Sequence, residues 1–349
     1  MNLPFATFSL FAPLAAVAAG ADGPARPAAP VPHGAGPAER RPVRVLAIGN
    51  SFSQSLCRYF PEAAAAAGAP VEFCNLYIGG CPLDRHAENI RKAAEDPEFA
   101  PYAVTWFHAD RPAAPAKFQS NVPQMLATQA WDVVTIQQAS HKSWDPGTYR
   151  PAADEVVAEI RRLAPQAEIV VHQTWAYNAA DPRFRPGEKS WGFDQAGMAG
   201  RVEDAYRKLA DGFGLRTIPV GAAVRLRREA LAAEGRVFDP ASPDALAPGE
   251  KPDLRGDPVG NFWWKAGAEG GAQALQRDTI HLNRAGEYLQ AMVWLGFFTG
   301  LDVRALDFAP PGTEAFADDL PGLRAAAARA LSGAASGRAA AGRGPDAGT

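Results

Sequence analysis

The sequence predicts an α/β protein, a three-layer α/β/α sandwich around a five-stranded parallel sheet. Three observations carry this expectation. Short apolar runs of strand length alternate along the chain with stretches of helical period. Within the runs, apolar residues follow one another without polar interruption, which suits strands covered on both faces, as in parallel sheets. Strand and helix also succeed each other regularly, which calls for right-handed crossovers and places helices on both sides of the sheet.

Taken in order, the strands are Val43–Ile48, Val71–Leu76, Val133–Ile136, Ile169–His172 and Leu215–Ile218. Helices are expected over Gln54–Ala67, Leu83–Ala94, Ala152–Leu163, Ala196–Gly212, Ala222–Ala233 and, as a final amphipathic helix, Arg284–Phe298. Asn283 is the natural N-cap of that last helix. In such a sheet the ligand site lies beyond the carboxyl ends of the strands.

The alternating region spans 43–331, a length suited to one α/β domain. Ahead of it, residues 1–21 hold no charged side chain and end in Ala19-Gly20-Ala21. That small-x-small ending is the pattern of a secretory signal peptide cleaved before Asp22, and it implies a secreted or periplasmic protein; a disordered tail is the other reading. Residues 22–42 are Pro-, Ala- and Gly-rich and read as a linker. From Ser332 to Thr349 the low complexity reads as a disordered tail.

Of the 349 residues 47% are hydrophobic, enough for a full core, and 35 basic against 38 acidic residues leave a net charge of −3. The basic residues are scattered, so neither a nucleic-acid partner nor an anionic membrane surface is expected. No segment approaches the roughly 18 apolar residues of a membrane span. Cys57, Cys74 and Cys81 leave one thiol over; export permits a single disulfide whose pairing cannot be read. None forms a C-x-x-C pair or a zinc spacing, so no metal and no cofactor are expected.

The stretch "VRVLAIGNSFSQS" runs from a buried strand through Gly49-Asn50 into Ser51. A serine on such a turn, close to the free N–H groups of the next helix, suits an oxygen nucleophile whose product is an oxyanion. Ser51 or Ser53 is equally suited to cap that helix. Far downstream, "RDTIHLNRAG" carries Asp278 and His281 on what reads as a loop before the final helix. A serine nucleophile needs a neighbouring base, and the base needs an acid to orient it; the D-x-x-H pair supplies both residue types.

These motifs resemble those of the SGNH/GDSL hydrolases, and more closely a bacterial branch of that superfamily known as a domain of unknown function. The resemblance rests on "IGNSFSQS", "IGGCPLDRH", "WDVVTIQQAS" and "DTIHLNRAG" in that order, across nearly all of residues 43 to 300. It implies the flavodoxin-like fold of that superfamily and a Ser51–His281–Asp278 triad. It also implies an oxyanion hole from the backbone N–H groups of Ser51 and Gly80, with Gly79 the alternative to Gly80. The third donor of the superfamily, an Asn in a G-x-N-D block, is missing here; Gln138 stands in for it, with Gln137 or Ser140 as alternatives. Asn50 replaces the Asp of G-D-S.

Further strand-end residues, Gln137 among them, are candidates for substrate contact. His86 follows the Gly79-Gly80 turn, and His172, Trp175 and Tyr177 sit at and after the fourth strand; packing is the alternative role for each. Trp263 lies in "GNFWWKAGAEGGAQ", which reads as a long Gly-rich loop able to offer an aromatic platform or simply to pack. The resemblance favours a secreted serine esterase that removes short acyl groups, acetyl above all, from a small-molecule or glycan ester. An inactive glycan- or partner-binding protein is the alternative, motivated by the missing Asn. A phosphate or nucleotide binder would suit the hydroxyl-rich turn but leaves the D-x-x-H pair unexplained.

Overall fold

The computed structural model describes residues 41–267 and 271–341. The signal-peptide reading and most of the linker fall on residues 1–40, and the tail beyond Ala341 falls on 342–349, all outside the described residues.

The domain opens with β1 (Val43–Gly49), α1 (Ser51–Gln54), α2 (Phe60–Ala66), β2 (Val71–Tyr77), α3 (Leu83–Glu95), β3 (Tyr102–His108) and β4 (Arg111–Ser120). It continues with α4 (Val122–Ala127), β5 (Val133–Ile136), α5 (Ala152–Leu163), β6 (Glu168–His172), α6 (Gln195–Phe213), β7 (Arg216–Ile218) and α7 (Val220–Ala233). The last elements are β8 (Val259–Lys265), β9 (Ala274–Leu282), α8 (Arg284–Thr299) and α9 (Leu320–Ala341).

The main sheet has seven strands in the order β4-β3-β2-β1-β5-β6-β7, not the expected five. The five expected strands are all present and mutually parallel as β2-β1-β5-β6-β7. β3 and β4 extend the sheet antiparallel beyond β2. β4 was illegible because "RPAAPAKFQS" carries two prolines and little to bury. An edge strand tolerates both, since one side of its backbone ladder needs no partner.

Chain order reverses beside β1: the next strand in sequence, β2, lies on one flank and β5 on the other. A crevice opens at such a switch point, off the carboxyl ends of the strands. Ser51 stands two residues past the end of β1 and lines that crevice.

Two other expectations change. The helix expected over Gln54–Ala67 is broken into α1, one 3-10 turn and α2, with Pro61 inside the first turn of α2. Proline fixes a helix start but cannot continue an earlier one. Nor is α8 final or amphipathic: nearly every residue from Gly286 to Gly296 is buried, because α9 packs over it. Trp294 of α8 meets Phe60 and Phe73 edge-on at 5.6 and 5.8 Å, tying α8 to α2 and to β2 at the centre of the core. α9 runs past Ser332, where the sequence reading ends the domain.

Cys57, Cys74 and Cys81 are free thiols, so the permitted disulfide is not formed. Burial pushes the Cys57 and Cys81 thiols up to about 12, which keeps them protonated near neutral pH. No helix among the described residues is long and apolar enough to cross a membrane.

Candidate active site

The turn after β1 is shaped by two residues. A Cβ at Gly49 would lie 2.3 Å from Ser53 Oγ and 3.1 Å from Gln137 Nε2, so only glycine lets α1 start this close to the strand end. Asn50, fully buried, then braces the turn from three sides. Its Oδ1 accepts from Phe52 N at 3.0 Å and from Gln137 Nε2 at 2.7 Å, and its Nδ2 donates to Cys81 O at 3.1 Å. Asn50, not a serine, therefore caps α1, and the same amide clamps the loops that follow β2 and β5.

With the cap supplied by Asn50, the Ser51 hydroxyl is free to face elsewhere. It meets His281 Nε2 at 2.8 Å, across 230 residues of sequence. His281 is on strand β9, not on a loop. Within β9 the Asp278 carboxylate folds back on its own strand: Oδ1 accepts from Ile280 N at 3.0 Å and from His281 N at 3.1 Å, while Oδ2 lies 2.8 Å from His281 Nδ1. A carboxylate only accepts, so Nδ1 carries the proton and Nε2 is left to accept from Ser51. Burial pushes the Asp278 carboxyl up, but the His281 ring and the two backbone N–H groups outweigh it and hold it below its usual value.

β9 is itself held. Trp175 Nε1 donates to Ile280 O at 2.9 Å. The Trp175 ring stacks on Phe52 at 3.9 Å, and Phe52 meets His281 edge-on at 5.8 Å. The imidazole is thus positioned from both the nucleophile's helix and the loop after β6.

Two backbone donors on the adjoining turns are left over. Ser51 N–H and Gly80 N–H meet no acceptor among the described residues. Gly80 has φ +60, the left-handed region that favours glycine, and the Asn50–Cys81 bond keeps its turn against Ser51. The Gly79–Gly80 turn follows β2, whose Tyr77 is in register with Gly49 of β1.

Gln138 does not join them. Its Oε1 accepts from Leu83 N at 3.0 Å and Ala139 N at 2.8 Å, and its Nε2 donates to Thr148 O at 2.9 Å. The amide is spent fastening the start of α3 to the loop after β5. Gln137 is a buried strut on Asn50, and Ser140 Oγ accepts from Tyr177 OH at 2.8 Å.

His86 is wholly buried, stacked with Tyr102 and bonded to its hydroxyl at 2.8 Å; desolvation lowers it to about 3, and it is a core residue. His172 is likewise buried against Trp294. Trp175 borders the cleft but is 1% exposed with one face under Phe52, so it supports the site instead of offering a stacking face. Trp263 is 48% exposed on β8 and lies outside the cleft lining. Residues 260–265 of the stretch expected as a Gly-rich loop belong to β8, which pairs antiparallel with β9. Among the described residues no cluster of His, Cys, Asp or Glu is arranged to hold a metal ion.

Ser51, Asp278 and His281 open into a cleft of about 700 Å³ whose lining is mostly polar, including Gln54, Ser55, Arg58, Arg284 and Glu287. Sequence reasoning missed these. One signal was available for Glu287: it shares the helical stripe of Ala291, Trp294 and Phe298, an acid on an apolar face. Burial pushes its carboxyl up to about 7, against the opposing pull of Arg58.

A family model described as a domain of unknown function (DUF4886) matches residues 44–230, more than half of the chain. The crystal structure of a DUF4886 family protein from Bacteroides uniformis is 27% identical, covers 83% of this chain and 95% of that one, and superposes with a TM-score of 0.63. A protein from Slackia heliotrinireducens described as a candidate SGNH hydrolase is 20% identical over 74% of this chain and 100% of that one, with a TM-score of 0.41. A candidate GDSL-like lipase from Parabacteroides merdae is 14% identical over 75% and 97%, also at 0.41. Those last two likenesses are too loose to bear on activity. No curated protein matches the chain.

Proposed function

We propose that this chain, which belongs to the DUF4886 family, is a serine esterase that removes short acyl groups, acetyl foremost, from carbohydrate esters. The observation that carries the reading is the continuous hydrogen-bonded line from Ser51 Oγ through His281 to Asp278 at the mouth of a cleft. A core histidine or a capping serine would not need all three.

In this reading Ser51 Oγ attacks the ester carbonyl while its proton passes to His281 Nε2. The carbonyl oxygen takes up negative charge against the N–H groups of Ser51 and Gly80. The C–O bond to the alcohol then breaks, the alcohol leaves with the proton from His281, and the acyl group stays on Ser51. Water repeats the sequence: it loses a proton to His281, attacks the acyl carbon, and Ser51 regains its proton as the carboxylic acid departs. Asp278 keeps its charge and holds the Nδ1 proton throughout. The mostly polar lining suits a small acyl group on a hydrophilic carrier.

The test is turnover of p-nitrophenyl acetate and labelling by a fluorophosphonate probe. Wild type should do both, and Ser51→Ala should do neither while unfolding at the same denaturant concentration. A wild-type protein that the probe leaves unlabelled is the inactive binder instead. Export belongs to the same proposal, and the mature protein should begin at Asp22 by N-terminal sequencing.

A further inference from the structure

Arginines on this protein's surface commonly clasp a carboxylate with both arms of the guanidinium: Arg41 on Asp132, Arg162 on Glu159 and Arg216 on Glu168 are examples. The two arginines in the active-site cleft do not. Arg58 approaches Glu287 Oε2 through Nε at 2.6 Å, and Arg284 reaches the same oxygen through Nη1 at 3.2 Å. One carboxylate oxygen thus serves two guanidiniums. Both Nη groups of Arg58, and Nε and Nη2 of Arg284, donate no hydrogen bond to any of the described residues. Their side chains are 44% and 53% exposed, while Glu287 is 16% exposed, so the carboxylate is tucked beneath and the cations face outward. Asp278, the other acid of the cleft, is taken up by His281 and two backbone amides. The cleft therefore holds two cations against one shared oxygen, with unused donors in the planar fork that matches a carboxylate.

We propose that Arg58 and Arg284, positioned by Glu287, form an anion subsite that selects ester substrates carrying a carboxylate beside the scissile bond. The subsite rests on the esterase reading for its substrate but not for its binding. An approaching carboxylate would take the outward arms of both arginines without displacing Glu287. The carboxylate can belong to the alcohol, as in an acetylated hexuronic acid, or to the acyl group, as in a hemisuccinate ester.

The experiment pairs each anionic ester with its neutral counterpart. One pair is acetylated methyl galacturonate against acetylated methyl galactoside; the other is p-nitrophenyl hemisuccinate against p-nitrophenyl acetate. At low salt the wild type should prefer the anionic member of at least one pair by about tenfold or more in kcat/KM, and the pair that responds identifies the source of the carboxylate. That ratio should fall toward one in Arg58→Gln, in Arg284→Gln and in concentrated sodium chloride. Titration calorimetry of methyl galacturonate and of succinate into Ser51→Ala supplies a readout without catalysis, and at least one should bind more tightly than methyl galactoside. If the wild type turns over neutral and anionic esters alike, the subsite proposal is wrong and the esterase reading stands. If no ester is turned over, the esterase reading is wrong, and the calorimetric preference alone upholds or overturns the subsite.

Discussion

Asn50 does the work of three residues: it caps α1, receives Gln137 and holds the carbonyl of Cys81. Asn50→Asp keeps the acceptor but turns the Cys81 contact into oxygen against oxygen in a buried place. It should cost about 1–3 kcal/mol in denaturant unfolding. Asp278 and His281 are three residues apart on one strand, so their pairing is a local matter of one carboxylate reaching its own backbone and the next ring. Asp278→Asn leaves that geometry nearly intact but lets the side-chain amide donate to the ring, favouring the wrong tautomer. Turnover of p-nitrophenyl acetate should drop about 10²–10⁴-fold with little change in stability.

Among the elements, the β8–β9 hairpin departs most from expectation. The stretch 260–273 reads as a Gly-rich loop, yet its first six residues belong to β8, which pairs with β9 from Val259 against Leu282 to Lys265 against Ala274. What makes it a hairpin is its setting. Thr279 bonds to the buried Asp181 at 2.5 Å, and Asn178 N donates to Thr279 O at 2.8 Å, so the loop after β6 anchors β9 from below. The loop after β5 shows the converse. The resemblance makes Gln138 the third oxyanion donor, but its amide fastens α3 to Thr148. Gln138→Met should therefore cost about 2–4 kcal/mol in stability through the backbone N–H groups it strands. Its kcat should change less than tenfold, where loss of an oxyanion donor would cost about 10²–10³.

At the scale of the whole molecule, the two wholly buried histidines couple the fold to acid. His86, between α3 and β3, and His172, between β6 and α8, are each lowered by burial to about 3 from an ordinary 6.5. In the unfolded chain both take a proton as pH falls below 6.5, whereas the folded protein holds them neutral down to about 3. Unfolding is thus favoured progressively through that window, and the stabilisation is full above it. Each histidine should remove about 1–2 kcal/mol of stability by about pH 5. Chemical denaturation at pH 7.5 and 5 measures this, and the loss should shrink in His86→Phe/His172→Phe even if that protein is less stable overall.

Sequence alone determined what is encoded over a few neighbouring residues. The period of the apolar runs placed all five parallel strands, Asn283 marked the start of α8, and the D-x-x-H spacing paired an acid with a ring. Tertiary structure decided what depends on register between distant segments. The meeting of Ser51 with His281 and the diversion of Gln138 follow from which strand ends lie side by side, and the sharing of Glu287 follows from the packing of α8 beside the 3-10 turn that carries Arg58. A side-chain amide or guanidinium has the same sequence signature wherever it points, and only the packed neighbours fix which of its donors are already taken.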